Sequence, residues 1–110
     1  MKTYDNPGKA SEKKFVLEAQ QEFKAESRRN KKLAVWVGEL LGKSEKETKS
    51  YVTEVIMADM EEAGDEDVFR KIRADLDAAN LDISDTVLRD RMRLLMEEAR
   101  EEIAAEAGLL

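Results

Sequence analysis

The fold is decided by residues 33–47, which read LAVWVGELLGKSEKE. Gly42 predicts the end of one helix, because glycine readily takes the left-handed conformation that follows a helix C-terminus. Ser44 and Glu47 predict a capping box that starts the next helix two residues later. Two helices joined by so short a turn are expected to pack as antiparallel neighbours. The first of them carries an apolar stripe at the spacing i, i+3, i+4, i+7, i+8, formed by Leu33, Trp36, Val37, Leu40 and Leu41.

The rest of the chain predicts two further helices with similarly short connections. The second helix is expected to end at Ala63–Gly64, the third to run from an N-cap at Asp65 to Asn80, and the fourth to start after Ser84 and end before Gly108. The apolar spacing predicts these inward residues: Val52, Val55, Ile56, Met60 and Ala63; then Val68, Phe69, Ile72, Leu76 and Ala79; then Leu88, Met92, Leu95, Met96, Ala99 and Ile103. The predicted fold is all-α, a four-helix antiparallel bundle over residues 25–110.

The composition of the chain excludes several kinds of functional site. The chain has 110 residues, which favours one domain, and it has neither cysteine nor histidine. Disulfides and thiolate metal sites are therefore excluded, and the commonest acid–base group is missing. No apolar run approaches the roughly 18 residues that span a bilayer. We expect a non-enzymatic cytoplasmic protein that has no catalytic or metal-binding residues, no cofactor and no direct membrane insertion.

Charge is distributed unevenly. Residues 1–43 carry 10 basic and 6 acidic side chains, a net +4, whereas residues 44–110 carry 9 and 19, a net −10. The acidic excess argues against nucleic acid as a partner, because phosphate binding needs a net basic face. The basic first third favours an acidic protein surface instead.

An N-terminal arm, residues 1–24, is predicted to be loosely attached to the bundle. Asn6–Gly8 indicates a turn, and Ser11 is a plausible N-cap for a long first helix. Phe15, Ala19 and Phe23 then recur every four residues between lysines. Such a segment can dock as a helix in a groove of a partner, with the aromatic rings as anchors.

The run Glu26–Lys32 follows the arm and has no apolar member. We therefore expect it to lie away from the core. Arg28, Arg29, Lys31 and Lys32 could form a docking face for an acidic groove or for phosphate oxygens, or simply a solvated helix face.

Two apparent ligand motifs fail on their spacing. Gly38–Ser44 has three residues between its glycines and lies on a helix, whereas a phosphate loop needs four residues and a preceding strand. A calcium loop starting at Asp75 would place Ala79 at its fifth position, Asn80 where glycine is needed and Thr86 where a bidentate glutamate belongs. Helix stops and caps explain both stretches.

The paired carboxylates and the tryptophan also have structural explanations. Glu61–Glu62 and Glu101–Glu102 lie in runs typical of solvated helix faces, so nothing marks them as catalytic. Trp36 occupies the centre of an apolar face, and we expect it to be part of the core.

Several stretches carry a family resemblance. They are Phe23–Glu26, Arg28–Leu33 with Trp36, Glu39–Gly42, and Ala63–Val68 with Arg70–Ile72. In order and spacing they resemble the ATPase inhibitor subunit zeta of α-proteobacterial ATP synthases, and the similarity extends over almost the whole chain.

The resemblance implies a regulatory subunit that is peripheral to the membrane-bound enzyme. It would bind the catalytic head of the F-type ATP synthase and block ATP hydrolysis with its N-terminal region. The turn-forming start at Asn6–Gly8 departs from the charged, helical lead-in expected of the family. The partner-binding residues it implies, together with the basic run, are Lys13, Lys14, Phe15, Glu18, Ala19, Phe23, Arg28 and Arg29.

A second hypothesis comes from the basic run. A bundle that binds an adenine nucleotide as a sensor could use Arg28, Arg29, Lys31 or Lys32 to contact phosphate. The two hypotheses are compatible with each other.

Overall fold

The computed structural model describes residues 17–60 and 64–109, and within these ranges it contains four helices. They are α1 (Ala19–Leu40), α2 (Glu45–Asp59), α3 (Glu66–Ala78) and α4 (Asp85–Glu106). The predicted all-α fold with four helices is confirmed. Among the described helices, none combines a membrane-spanning length with an apolar sequence.

Contacts between the helices show that each packs antiparallel to its neighbours. In each pair of helices, the contacting residue numbers rise along one helix as they fall along the other, as Asn30–Asp59 and Gly38–Thr48 do for α1 and α2. The fourth helix returns to pack against the first. The contacting pairs are Asn30–Asp59 for α1 and α2, Tyr51–Asp75 and Glu54–Lys71 for α2 and α3, Glu66–Arg89 and Arg73–Asp85 for α3 and α4, and Arg28–Glu106 and Lys32–Glu98 for α1 and α4.

The predicted helix stop and start around Gly42 are confirmed. Gly42 has a φ of +71°, and the N–H of Lys43 donates to the carbonyl of Gly38 at 2.9 Å, which closes the last turn of α1. The Glu47 N–H then donates to the Ser44 hydroxyl at 3.1 Å, and the Ser44 N–H donates to the Glu47 carboxylate at 2.8 Å. These two reciprocal bonds are the predicted capping box.

The main core lies between the C-terminal half of α1 and the other three helices. Trp36, Leu40, Leu41, Val52, Leu81 and Ile83 cover its edges. The buried members of this cluster are Leu33, Ala34, Val37, Tyr51, Val55, Val68, Phe69, Ile72, Leu76, Leu88, Met92 and Leu95.

A second and smaller apolar cluster joins the N-terminal half of α1 to α4. Ala25 packs there with Met96, Ala99 and Ile103, and Leu17 covers it from one side. All six inward residues predicted for α4 are therefore buried. The first half of α1 has much less apolar contact than the second half.

The predicted inward face of α2 is partly wrong. Tyr51 and Val55 are its buried apolar residues, whereas Met60 is 72% exposed. Tyr51 was missed because the apolar spacing ignores a phenol, and its hydroxyl donates to the Asp75 carboxylate at 2.6 Å. Met60 follows the last residue of α2, so no turn of helix holds it against the core. Ala63 lies outside the described residues.

One other predicted boundary differs. Ala79 is exposed, because it follows the end of α3 instead of continuing its inward face.

Within the described residues, helix α1 begins at Ala19. Glu18 is extended (φ −68°, ψ 163°), and its N–H donates to the Gln21 side chain at 3.1 Å. The helix start predicted near Ser11 and the turn predicted at Asn6–Gly8 lie outside the described residues.

Replacing Gly38 with alanine should destabilise the bundle. A Cβ at this position would lie 2.9 Å from the Thr48 hydroxyl oxygen, on the facing helix α2. Overpacking typically costs about 1–3 kcal/mol, and the gain in helix propensity offsets about 1 kcal/mol of it. We expect a net loss of about 1 kcal/mol in the free energy of unfolding, measured by urea denaturation.

The double variant Gly38→Ala/Thr48→Ala is the control, because it removes the side-chain atoms that the new methyl group would meet. It should be at least as stable as Thr48→Ala alone. An equal penalty for Gly38→Ala in both backgrounds would contradict a tight α1–α2 contact at this point.

A candidate protein-binding surface on the first helix

The residues predicted to bind a partner divide into three groups. Lys13, Lys14 and Phe15 lie outside the described residues. Glu18 and Ala19 form the exposed start of α1, and Phe23 follows on the same helix with 62% of its surface exposed. Arg28 and Arg29 lie one to two turns further along α1, and both are engaged inside the bundle.

Arg29 is buried, contrary to the expectation that the basic run lies away from the core. Only 4% of its side chain is exposed, and its Nε donates to the Asn30 side-chain oxygen at 2.7 Å. One terminal nitrogen of its guanidinium lies 3.8 Å from an Asp59 oxygen, and the other lies 3.6 Å from an Asp65 oxygen. The Asn30 amide, also buried, donates to Asp59 at 2.9 Å.

This network explains how polar groups are tolerated in the packed region. Arg29 is on α1, Asp59 is the last residue of α2, and Asp65 precedes α3. A buried guanidinium is costly unless carboxylates and hydrogen bonds compensate its charge. Asp65 was predicted to cap α3, but its side chain makes no capping bond and lies toward Arg29 instead.

Arg28 and Lys32 form a charged seam with the C-terminal half of α4. Arg28 contacts Glu106 at 2.5 Å and Glu102 at 3.2 Å, and Lys32 contacts Glu102 and Glu98, each at 2.9 Å. The hydrogen bonds from Lys32 and Arg28 hold the pKa of Glu102 below its ordinary value, and Arg28 does the same to the pKa of Glu106. We call this set the α1–α4 seam.

A further ion pair lies farther toward the start of α1. The Arg100 guanidinium of α4 contacts the Glu22 carboxylate at 2.6 Å. The first half of α1 is thus held to α4 by charge pairs around a small apolar cluster. These contacts concern residues 17–24 of the predicted arm only, and the loose attachment of the arm stays a prediction.

Two clefts lie beside the Arg29 network. One of about 190 Å³ is lined by Arg29, Arg100 and the carboxylates of Glu26, Asp59 and Asp65, together with Gly64 and Met96. Burial, followed by the charges of Asp59 and Glu22, raises the pKa of Glu26. The adjoining cleft of about 270 Å³ is lined by Asp65, Arg89, Met92, Arg93, Met96, Glu97 and Arg100.

The clefts do not offer free cations to a phosphate group. Arg89 is paired with Glu66, Arg93 with Glu97 and Arg100 with Glu22. Of the four residues proposed to contact a nucleotide, Arg28, Arg29 and Lys32 already have carboxylate partners, so a phosphate would compete with them. Nucleotide binding stays a prediction. Among the described residues, no group of acidic side chains is arranged to hold a metal ion.

Six exposed or half-exposed residues of α1 share one side of the helix. At 100° per residue, they fall within a third of its circumference, a sector that also contains the buried Ala34 and Gly38, whereas Ala19 and Glu39 are exposed outside it. Lys24 and Lys31 on this stripe are exposed and make no ion pair with another described residue, and no stripe residue is acidic. We call this the α1 stripe; its members are Gln20, Phe23, Lys24, Ser27, Lys31 and Val35.

The sequence does not show which cations of α1 are paired. Lys31 and Lys32 are neighbours in the basic run, yet only Lys32 pairs with a carboxylate of α4. The regular spacing of Glu98, Glu102 and Glu106 places three carboxylates on one face of α4, which was the available signal for a seam with a basic neighbour.

Comparison with known proteins finds a matching family and a similar solved structure. The model of a family described as ATPase inhibitor subunit zeta matches residues 1–102. A protein with a solution NMR structure is 44% identical, with a TM-score of 0.68 over 78% of this chain and 98% of that chain. A search of curated proteins found no match.

Acid should weaken the α1–α4 seam. Because the pKa values of Glu102 and Glu106 are lowered in the folded protein, their stabilising effect is complete above about pH 4.5, their ordinary value, and is lost as the pH falls below it. Amide protection factors of residues 22–31, measured by NMR hydrogen exchange between pH 5 and 3, should fall faster than those of residues 33–40. In Glu102→Gln/Glu106→Gln this extra fall should be absent; if it persists, the seam is not its cause.

Removing Arg29 should cost more stability than removing its neighbour Arg28. Arg29→Met leaves the Asn30 oxygen without its donor and Asp59 without its buried cation, so we expect a loss of about 2 kcal/mol in the free energy of unfolding. Arg28→Met removes partly exposed pairs, for which a loss below about 1 kcal/mol is expected. Equal losses in urea denaturation would contradict a structural role specific to Arg29.

Proposed function

Because the chain belongs to the ATPase inhibitor subunit zeta family, we propose that it binds the catalytic head of an F-type ATP synthase and inhibits ATP hydrolysis through its N-terminal arm, residues 1–24. The observation that carries this proposal is the family match over residues 1–102, which includes the arm. The role is regulatory and needs no reaction at the protein itself. The protein would act at the periphery of the membrane-bound enzyme, in the cytoplasm.

The described fold suits a protein that presents a segment to a partner. Leu17 packs on the small apolar cluster, and Glu18 starts α1 directly after it. Leu17, which follows the first sixteen residues of the arm, is therefore held at a fixed point on the bundle. Fixing that point limits the orientations from which the arm can approach a partner, which lowers the entropic cost of binding.

Inhibition by binding alone requires a difference in affinity between states of the enzyme. A rotary enzyme passes through several conformations of each catalytic interface, and a ligand that binds one of them more tightly shifts the enzyme toward it. A segment lodged in one interface would therefore stop the cycle without taking part in the chemistry. The affinity that matters is the affinity for that one conformation.

The aromatic residues of the arm are the proposed anchors. Phe23 is already exposed, so its ring would give up few contacts within the bundle when it enters an apolar pocket of the partner. Full burial of an aromatic side chain contributes about 2 kcal/mol, and ordering the arm consumes part of this gain. Lys13, Lys14 and Phe15 would supply the remaining contacts proposed for the arm, together with Glu18 and Ala19.

A variant without residues 1–16 tests the arm. It retains Leu17, the start of α1 and all described helices, so its fold should be intact by circular dichroism. Purified full-length protein should lower the ATP hydrolysis rate of a cognate catalytic head, and the shortened variant should lose most of this effect. Full-length Phe15→Ala, with its helical fold also checked by circular dichroism, should raise the concentration for half-inhibition about tenfold. Equal inhibition by all three proteins would contradict the mechanism.

A further inference from the structure

We propose that the contact with the partner extends from the end of the arm onto the folded bundle, where an acidic protein surface binds Lys24 and Lys31 beside the arm's last anchor, Phe23. The inference rests on the proposed function and deepens it, because it names the chemistry of the surface that meets the bundle. Its evidence comes from the division of contacts along α1.

The position of Phe23 explains its exposure. On α1, Asn30 faces the end of α2, where it bonds Asp59, and Gly38 faces Thr48 near the start of α2. Ser27 and Phe23 lie three and seven residues before Asn30, so they continue the α2-facing side of α1 by one and two turns. Helix α2 has already ended there, and no described helix takes its place.

The charges of α1 are divided in the same way. Arg28 and Lys32 are committed to α4, and Arg29 to Asp59 and Asp65. Lys24 and Lys31 are the cations of α1 that form no ion pair with another described residue, and the charge of Lys24 acts at longer range on Glu106, whose pKa it helps to lower. Seven residues separate them, which is about 10 Å along a helix.

These features define the partner surface. It should carry carboxylates about 10 Å apart around an apolar recess that takes the Phe23 ring. Residues 44–110 have a net charge of −10, so the stripe is where this otherwise acidic bundle can accept an acidic partner without repulsion. The stripe begins within the last residues of the arm and continues along the same helix, so a partner that binds the arm can also contact the stripe.

The test is the affinity of full-length variants for the cognate catalytic head, measured at low and moderate salt. We expect Phe23→Ala and Lys24→Glu/Lys31→Glu each to weaken binding by about tenfold or more, and the double variant to reduce the salt dependence. Leu94→Ala, an exposed apolar residue on α4, is the control for Phe23. Lys46→Glu/Lys49→Glu makes the same charge change on α2, and both controls should stay within about twofold of the wild type.

The outcomes separate the inference from the proposed function. If the wild type fails to bind the head, both proposals are overturned. If the wild type binds and Lys24→Glu/Lys31→Glu matches its α2 control, the inference is overturned and the proposed function is not. If Phe23→Ala matches its control, the anchor role given to Phe23 in both proposals is overturned. Equal weakening by the α2 lysine control would show general attraction in place of a specific surface, and would also overturn it. The wild type could also form a dimer, measured by sedimentation. If Lys24→Glu/Lys31→Glu abolishes that dimer without changing the affinity for the head, the stripe binds a second copy of the chain and the inference is overturned.

Discussion

The buried guanidinium of Arg29 is the interaction on which the arrangement of α1, α2 and α3 depends. It lies between the last residue of α2 and the residue that precedes α3, so one side chain of α1 fixes where two other elements meet. Asn30 completes the network by joining the Arg29 Nε to Asp59. An unpaired charge could not stay buried there, and each partner therefore constrains the position of the others.

The same constraint organises the surface of α1. Its buried side is divided between a large apolar core near the C-terminal end and a small cluster flanked by ion pairs near the N-terminal end. Of the four cations in the basic run, Arg28 and Lys32 belong to the α1–α4 seam, and Arg29 is buried in its own network with Asp59 and Asp65. What remains for a partner is Phe23 with Lys24 and Lys31. A helix that looks uniformly basic in sequence therefore presents a narrow stripe, and the proposed inhibitory arm continues from the start of that helix.

Local signals in the sequence predicted the helix ends well. Gly42, Ser44 and Glu47 act on backbone groups within a few residues, so their effect does not depend on the rest of the fold. The inward face of α4 was also predictable, because its apolar residues, from Leu88 to Ile103, keep one spacing over about four turns. The failures involve contacts that come from distant parts of the chain. Tyr51 can be buried because Asp75 accepts a hydrogen bond from its hydroxyl. Arg29 can be buried because it forms ion pairs with Asp59 and Asp65.

If the partner covers the α1 stripe, Phe23 should become inaccessible to solvent in the complex. Hydroxyl-radical footprinting with mass spectrometry measures the oxidation rate of individual exposed side chains, in the free protein and in the complex with the catalytic head. Phe23 is 62% exposed, and Leu94 on α4 is 45% exposed. We expect strong protection of Phe23 in the complex and an unchanged oxidation rate for Leu94. Protection of Leu94 with no change at Phe23 would show that the partner binds a different face of the bundle.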